Sequence, residues 1–81
     1  MRITVQLFAG LRERAGRDEL VLDGLAAPLD LAGLKRELAR RHPELGGLAH
    51  VRAALGTRYA DEAAALADGM RVHLIPPVSG G

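Results

Sequence analysis

The sequence predicts an α+β fold, a mixed sheet with one main amphipathic helix packed across it. Three observations lead there. Residues 2–8 and 71–75 alternate polar and apolar side chains, the period of a half-buried strand. Between them Leu31, Leu34 and Leu38 recur at i, i+3 and i+7, which lays one apolar stripe along a helix. The chain has 81 residues, 48% of them apolar, enough for one thin core and too few for two domains.

The first strand is Arg2 to Phe8. Ile3, Val5 and Leu7 share one face, and Arg2, Thr4, Gln6 and Phe8 the other. Ala9 to Ala15 reads as a short helical turn ended by Gly16. Glu19 to Leu22 is a second strand, antiparallel to the first, and Asp23-Gly24 closes the hairpin. A loop with Pro28 leads to Asp30, an N-cap for the helix Leu31 to Arg41. Lys35, Arg36, Glu37, Arg40 and Arg41 form its polar face, with Glu37 and Arg41 an i, i+4 pair. Gly33 lowers helix propensity by about 1 kcal/mol relative to Ala, so its presence predicts close packing. His42-Pro43 stops the helix.

Gly46-Gly47 marks a loop, Val51 to Leu55 a third strand, and Arg58 to Ala60 a short edge strand after the Gly56-Thr57 turn. Asp61 to Ala67 reads equally as a helical turn or a loop. Asp68-Gly69 turns the chain into the last strand, Arg71 to Ile75, with Val72 and Leu74 inward. Pro76-Pro77 forbids further ladder pairing. Two antiparallel strands, a crossover helix and a last strand parallel to the first give the β-grasp layout. Residues 1–77 form that domain and residues 78–81 a flexible di-glycine tail.

Composition narrows the chemistry. Eleven Lys and Arg against ten Asp and Glu leave a net charge of +1, without the basic excess of a nucleic-acid binder. One Phe and one Tyr make no base-stacking platform. Without cysteine there is no disulfide, thiolate metal site, cysteine nucleophile or side-chain persulfide. His42, His50 and His73 lie in different elements without metal-ligand spacing, so no metal site is expected. Ser79 is the only serine and has no base placed beside it. No apolar run approaches the roughly 20 residues of a membrane span. Met1-Arg2-Ile3-Thr4 does not open a signal peptide. A cytoplasmic protein with no self-contained active site is expected, binding neither nucleic acid nor membrane.

The end of the chain is unusual. Val78-Ser79-Gly80-Gly81 is uncharged and thin, and the rigid Pro76-Pro77 pair projects it from the sheet. Such a tail can thread a narrow channel and present its carboxylate to a partner's active site. A glycine-rich frayed terminus is an equal reading of the tail alone.

Leu7-Phe8-Ala9-Gly10-Leu11-Arg12-Glu13 followed by Gly16 resembles the amino-terminal signature of the small, sulfur-carrying subunit of molybdopterin synthase (the MoaD family, ubiquitin-like). Leu66-Ala67-Asp68-Gly69, Val72 and Ile75-Pro76-Pro77-Val78-Ser79-Gly80-Gly81 resemble its carboxyl-terminal signature. Gly56 and Met70 depart from that pattern at turns. The resemblance implies that an E1-like enzyme adenylates Gly81 with ATP and Mg²⁺, and that a sulfur donor displaces AMP to leave a thiocarboxylate. It implies delivery of that sulfur to cyclic pyranopterin monophosphate in the large subunit, in a heterotetramer with two copies of each chain. ATP and Mg²⁺ belong to the activating enzyme, and this chain itself binds no cofactor.

Strand parity supplies a partner surface independently. Phe8 and Ile75 end two strands and point away from the core, so parallel pairing brings them together beside Pro76 and Pro77, with Tyr59 joining from the edge strand. Arg12 and Arg71 are placed to steer the tail toward anionic sites. Two other readings stand beside this one: a sulfur carrier for another pathway such as thiazole synthesis, and a ubiquitin-like tag joined to lysines. A passive interaction module, with a dispensable tail, is a third.

Overall fold

The structure is a computed structural model that describes residues 1–77. Its main sheet has five strands in the order β2-β1-β7-β4-β5. These are β1 (Ile3–Leu7), β2 (Glu19–Leu22), β4 (Arg52–Leu55), β5 (Arg58–Ala60) and β7 (Arg71–Ile75). Between β1 and β2 runs α1 (Ala9–Ala15), and the long helix is α2 (Leu31–Arg41). β1 pairs parallel to β7 at the centre, and the other pairings are antiparallel. This is the expected β-grasp arrangement.

Alternation puts Ile3, Val5 and Leu7 on the inner face with Leu20, Leu22, Val72, Leu74 and Ala53. Leu31, Leu34 and Leu38 of α2 cover them and are almost wholly buried. The core is aliphatic throughout. Both large aromatic residues are outside, Phe8 at 39% and Tyr59 at 61% exposure.

α2 begins where the sequence places it, because the Asp30 carboxylate accepts the Gly33 N–H at 2.8 Å. A Cβ on Gly33 would lie 3.0 Å from Leu29 Cδ1, so the close packing expected there is present. Gly16 ends α1 at φ +73°, the left-handed cap that glycine tolerates best.

Several local expectations are corrected. β1 stops at Leu7 and Phe8 becomes the N-cap of α1, because Ala9 enters the left-handed region at φ +48° and turns the chain off the ladder. The loop before α2 contains β3 (Leu29–Asp30), which pairs with β6 (Ala65–Leu66) in a two-stranded bridge. Residues 61–67 thus form turns and a short strand. Their main chain also bonds α2 directly, with Leu31 N–H on Ala64 O and Ala32 N–H on Glu62 O, both at 3.0 Å. Pro43–Leu45 form a 3-10 turn that buries Leu45. Val51 precedes β4, its N–H turned to Leu48 O.

Lys35 is the largest departure. It is 7% exposed, not on the solvated face. Its Nζ donates to Val51 O and to Glu62 Oε1, each at 2.6 Å. Position 35 lies at the border of the Leu31–Leu34–Leu38 stripe, where an alkyl stem can bury if its ammonium finds partners.

The rest of the polar face of α2 behaves as a charge network. Glu37 accepts from Arg41 Nε at 2.7 Å and also from Arg40. The hydrogen bonds from Arg40 and then Arg41 hold its carboxyl at about 2, below the ordinary 4.5. A depressed carboxyl stabilises the fold fully above its unfolded value and loses that contribution as pH falls toward the folded one. Between about pH 4.5 and about pH 2, Glu37→Gln should therefore show a shallower loss of stability than wild type, read as urea midpoints across that range. Asp30→Ala should lower stability by about 1 kcal/mol at neutral pH, measured by urea unfolding, because the Gly33 N–H loses its acceptor.

Candidate functional site

The candidate site lies at the carboxyl ends of the two central strands. Gln6 stands opposite His73 and Leu7 opposite Leu74 in the parallel register, so Phe8 and Ile75 follow together on the outer face. Arg52 stands opposite Ile75, and Ala54 opposite both His73 and Tyr59. Two rows therefore cross the open side of the sheet. One runs Phe8, Ile75, Arg52. The other runs Gln6, His73, Ala54, Tyr59.

Phe8 and His73 rings lie 6.0 Å apart between centroids, tilted by 33°. His73 Nδ1 is buried there without a hydrogen-bond partner among the described residues. Ile75 is half-buried between these rings and Arg52. The Arg52 guanidinium lies over the Tyr59 ring, 4.7 Å from its centroid. Tyr59 thus shares the face with Phe8 and Ile75, but Arg52 and the small Ala54 stand between.

Beside this face opens a cleft of about 810 Å³, lined by Phe8, Leu11, His50, Val51, Ile75, Pro76 and Pro77 among others. Its apolar walls come from four parts of the chain: the end of β1, α1, the approach to β4, and the end of β7. The chain leaves β7 along this cleft through Pro76 and Pro77.

Arg12 does not line the cleft. It lies on the other side of α1, with Nε 3.8 Å from Asp18. Arg14 lines it instead, and its Nη1 donates to Leu45 O at 3.0 Å. Gly46 at φ +76° leaves room for that side chain, since a Cβ there would come within 2.9 Å of Arg14 Nη1. Helical spacing separates the two: Arg14 is i+3 from the buried Leu11 and shares its side of α1, whereas Arg12, two residues from Arg14, points nearly opposite. Arg71 is held in a polar cluster at the far end of the face, 2.8 Å from Gln6 Oε1 and 2.7 Å from Glu19 Oε2.

Val78, Ser79, Gly80 and Gly81, the remaining candidate residues, lie outside the described residues. Among the described residues no cluster of three or more His, Asp or Glu could hold a metal ion. No helix of the described residues is long and apolar enough to cross a membrane. The arrangement offers an apolar surface beside a cleft whose lining runs to Pro76 and Pro77.

The model of the ThiS family matches residues 5–81. No individual curated protein matches the sequence. Among solved structures, the small archaeal modifier protein SAMP1 from Haloferax volcanii superposes with a TM-score of 0.85 at 27% identity, over 100% of both chains. A protein of Pyrococcus furiosus described as molybdopterin converting factor subunit 1 gives 0.81 at 30% identity, over 96% of this chain and 99% of that one. A chain of the complex between subunits 1 and 2 of the molybdopterin-converting factor from Helicobacter pylori gives 0.68 at 25% identity, over 100% of both.

The exposure of the Phe8 ring sets its role in stability. Phe8→Ala should cost well under the 2–5 kcal/mol of a core truncation such as Leu34→Ala, because Phe8 already faces solvent while Leu34 is wholly enclosed. Paired thermal and urea unfolding of the two variants checks this ordering.

Proposed function

The chain belongs to the ThiS family of ubiquitin-like sulfur carriers, and from that premise we propose that it is the small subunit of a molybdopterin synthase, with sulfur carried on the Gly81 carboxylate. The observation that carries this reading is the family match running through residue 81. The likeness to molybdopterin-converting-factor chains of Pyrococcus furiosus and Helicobacter pylori supports the pathway. The apolar row beside the end of β7 supports docking onto a large subunit.

The chemistry follows from the poverty of a carboxylate as an electrophile. An α-carboxyl group titrates near about 3.3–3.7 and is ionised at neutral pH. An E1-like partner using ATP and Mg²⁺ converts it to an acyl adenylate, releasing pyrophosphate. A sulfur donor then attacks the carbonyl carbon, the bond to AMP breaks, and a thiocarboxylate remains. In the large subunit that sulfur passes to cyclic pyranopterin monophosphate, and water supplies the oxygen that restores the carboxylate. The dithiolene needs two sulfurs and therefore two loaded carriers.

Docking has an energetic reason. Ordering four tail residues in a channel costs about 4–8 kcal/mol of backbone entropy. Phe8 and Ile75 offset part of this: full burial of such a side chain is worth about 1.5–3 kcal/mol, and each is already partly covered in the free chain, so less than half of that remains for docking. Phe8→Ala or Ile75→Ala should weaken binding to the large subunit by about 3- to 10-fold, measured by titration calorimetry.

Intact mass spectrometry tests the chemistry. Chain incubated with the activating enzyme, ATP, Mg²⁺ and a sulfur source should gain one oxygen-to-sulfur exchange, at Gly81 and on no side chain. Cyclic pyranopterin monophosphate with the large subunit should restore the original mass. A loaded terminus that the pterin does not discharge would keep the carrier class and remove the molybdopterin assignment. The likeness to SAMP1 favours a second reading, in which the activated glycine is joined to lysines of other proteins. An amide on a target lysine, stable to the pterin, would establish that use.

A further inference from the structure

An acyl adenylate reacts with an amine that reaches it, and one such amine is a lysine on a second copy of the carrier. This chain has ten arginines and a single lysine, Lys35. That lysine is the one basic side chain the fold buries, at 7% exposure. Its Nζ is held by the Val51 carbonyl and the Glu62 carboxylate, both at 2.6 Å. Guanidinium groups do not substitute for it, because they stay protonated and keep no free electron pair.

We propose that burial of Lys35 withholds the only side-chain amine of the chain from acylation, so that the activated terminus cannot be joined to a side chain of a second copy of this protein. This rests on the reading of Gly81 as the activated group, and it assigns the acceptor: a small molecule or another protein, never a side chain of this one. The excluded reaction is an ordinary aminolysis. A neutral amine nitrogen would attack the Gly81 carbonyl carbon of the acyl adenylate, the bond to the phosphate oxygen would break with AMP carrying the electron pair, and the amine proton would pass to water.

The position of Lys35 gives the device its second use. Its two partners belong to the approach to β4 and to the segment that bonds the start of α2, so the amine is held by the same contacts that fasten α2 to the sheet edge.

Two measurements test it, both on the full chain. In the first, the folded protein is acetylated with an N-hydroxysuccinimide ester, and rates are read by peptide mass spectrometry. Lys35 should react at least about tenfold more slowly than the exposed amine introduced by Arg36→Lys in the same folded chain, and the difference should vanish in urea. Equal rates in the folded chain overturn the proposal. In the second, wild type, Arg36→Lys and Arg17→Lys are activated with ATP, Mg²⁺ and the E1-like enzyme without a sulfur source. Arg36 and Arg17 are exposed and lie outside the docking face. Mapped by peptide mass spectrometry, the two variants should form dimers amide-linked through the introduced lysine, and wild type none through Lys35. Wild-type dimers through Lys35, or activated variants that form none, overturn the proposal. If no chain is activated at all, the sulfur-carrier reading falls, and the acetylation rates alone decide whether Lys35 is withheld.

Discussion

The parallel pairing of β1 with β7 is the constraint on which the rest depends. These strands start and finish the described domain, and their inner side chains, Ile3, Val5, Leu7, Val72 and Leu74, are the centre of the core. Parallel neighbours cannot be joined by a tight turn, so the chain between them must cross over the sheet. That crossover supplies α2, which covers the inner face. The same pairing puts both strand ends at one edge of the sheet. Phe8 and Ile75 therefore come together, and the chain continues into Pro76 and Pro77 beside them. Core, docking face and tail exit follow from one register.

An aliphatic core leaves the aromatic residues for the surface. A single Phe and a single Tyr would ordinarily be buried for their large apolar area. Here both lie on the open side of the sheet, and the core is closed by leucine and valine. The outer face is divided along the strands. Arg71, Gln6 and Glu19 knit its far end into a polar cluster, while Phe8, His73 and Ile75 make the end by the tail apolar. The apolar end is the one where the chain leaves the sheet through Pro76 and Pro77.

The Lys35 tie does for the edge of the domain what the leucine stripe does for its middle. A buried ammonium is costly unless its donors are met. Val51 and Glu62 take two of its three donors, and they stand in segments that flank the two ends of the β4–β5 hairpin. The interaction is thus a polar closure of a thin core, and it also removes an amine from the surface of a protein whose terminus is read as an acylating agent.

The regular elements were legible in the sequence because their signals are local. Alternation marked β1 and β7, the 31–34–38 spacing marked α2, Asp30 its start and Gly16 the end of α1. The strand order then implied the parallel centre, and with it the meeting of Phe8 and Ile75. What tertiary structure alone decided involves contacts between distant segments. Leu29–Asp30 and Ala65–Leu66 are strands only because each pairs with the other. Arg14 finds the Leu45 carbonyl only because α1 docks on the Pro43–Leu45 turn. Lys35 reads as one more surface cation until Val51 and Glu62 are brought to it. Sequence periodicity states which way a side chain points along its own element, and only packing states what waits there to meet it.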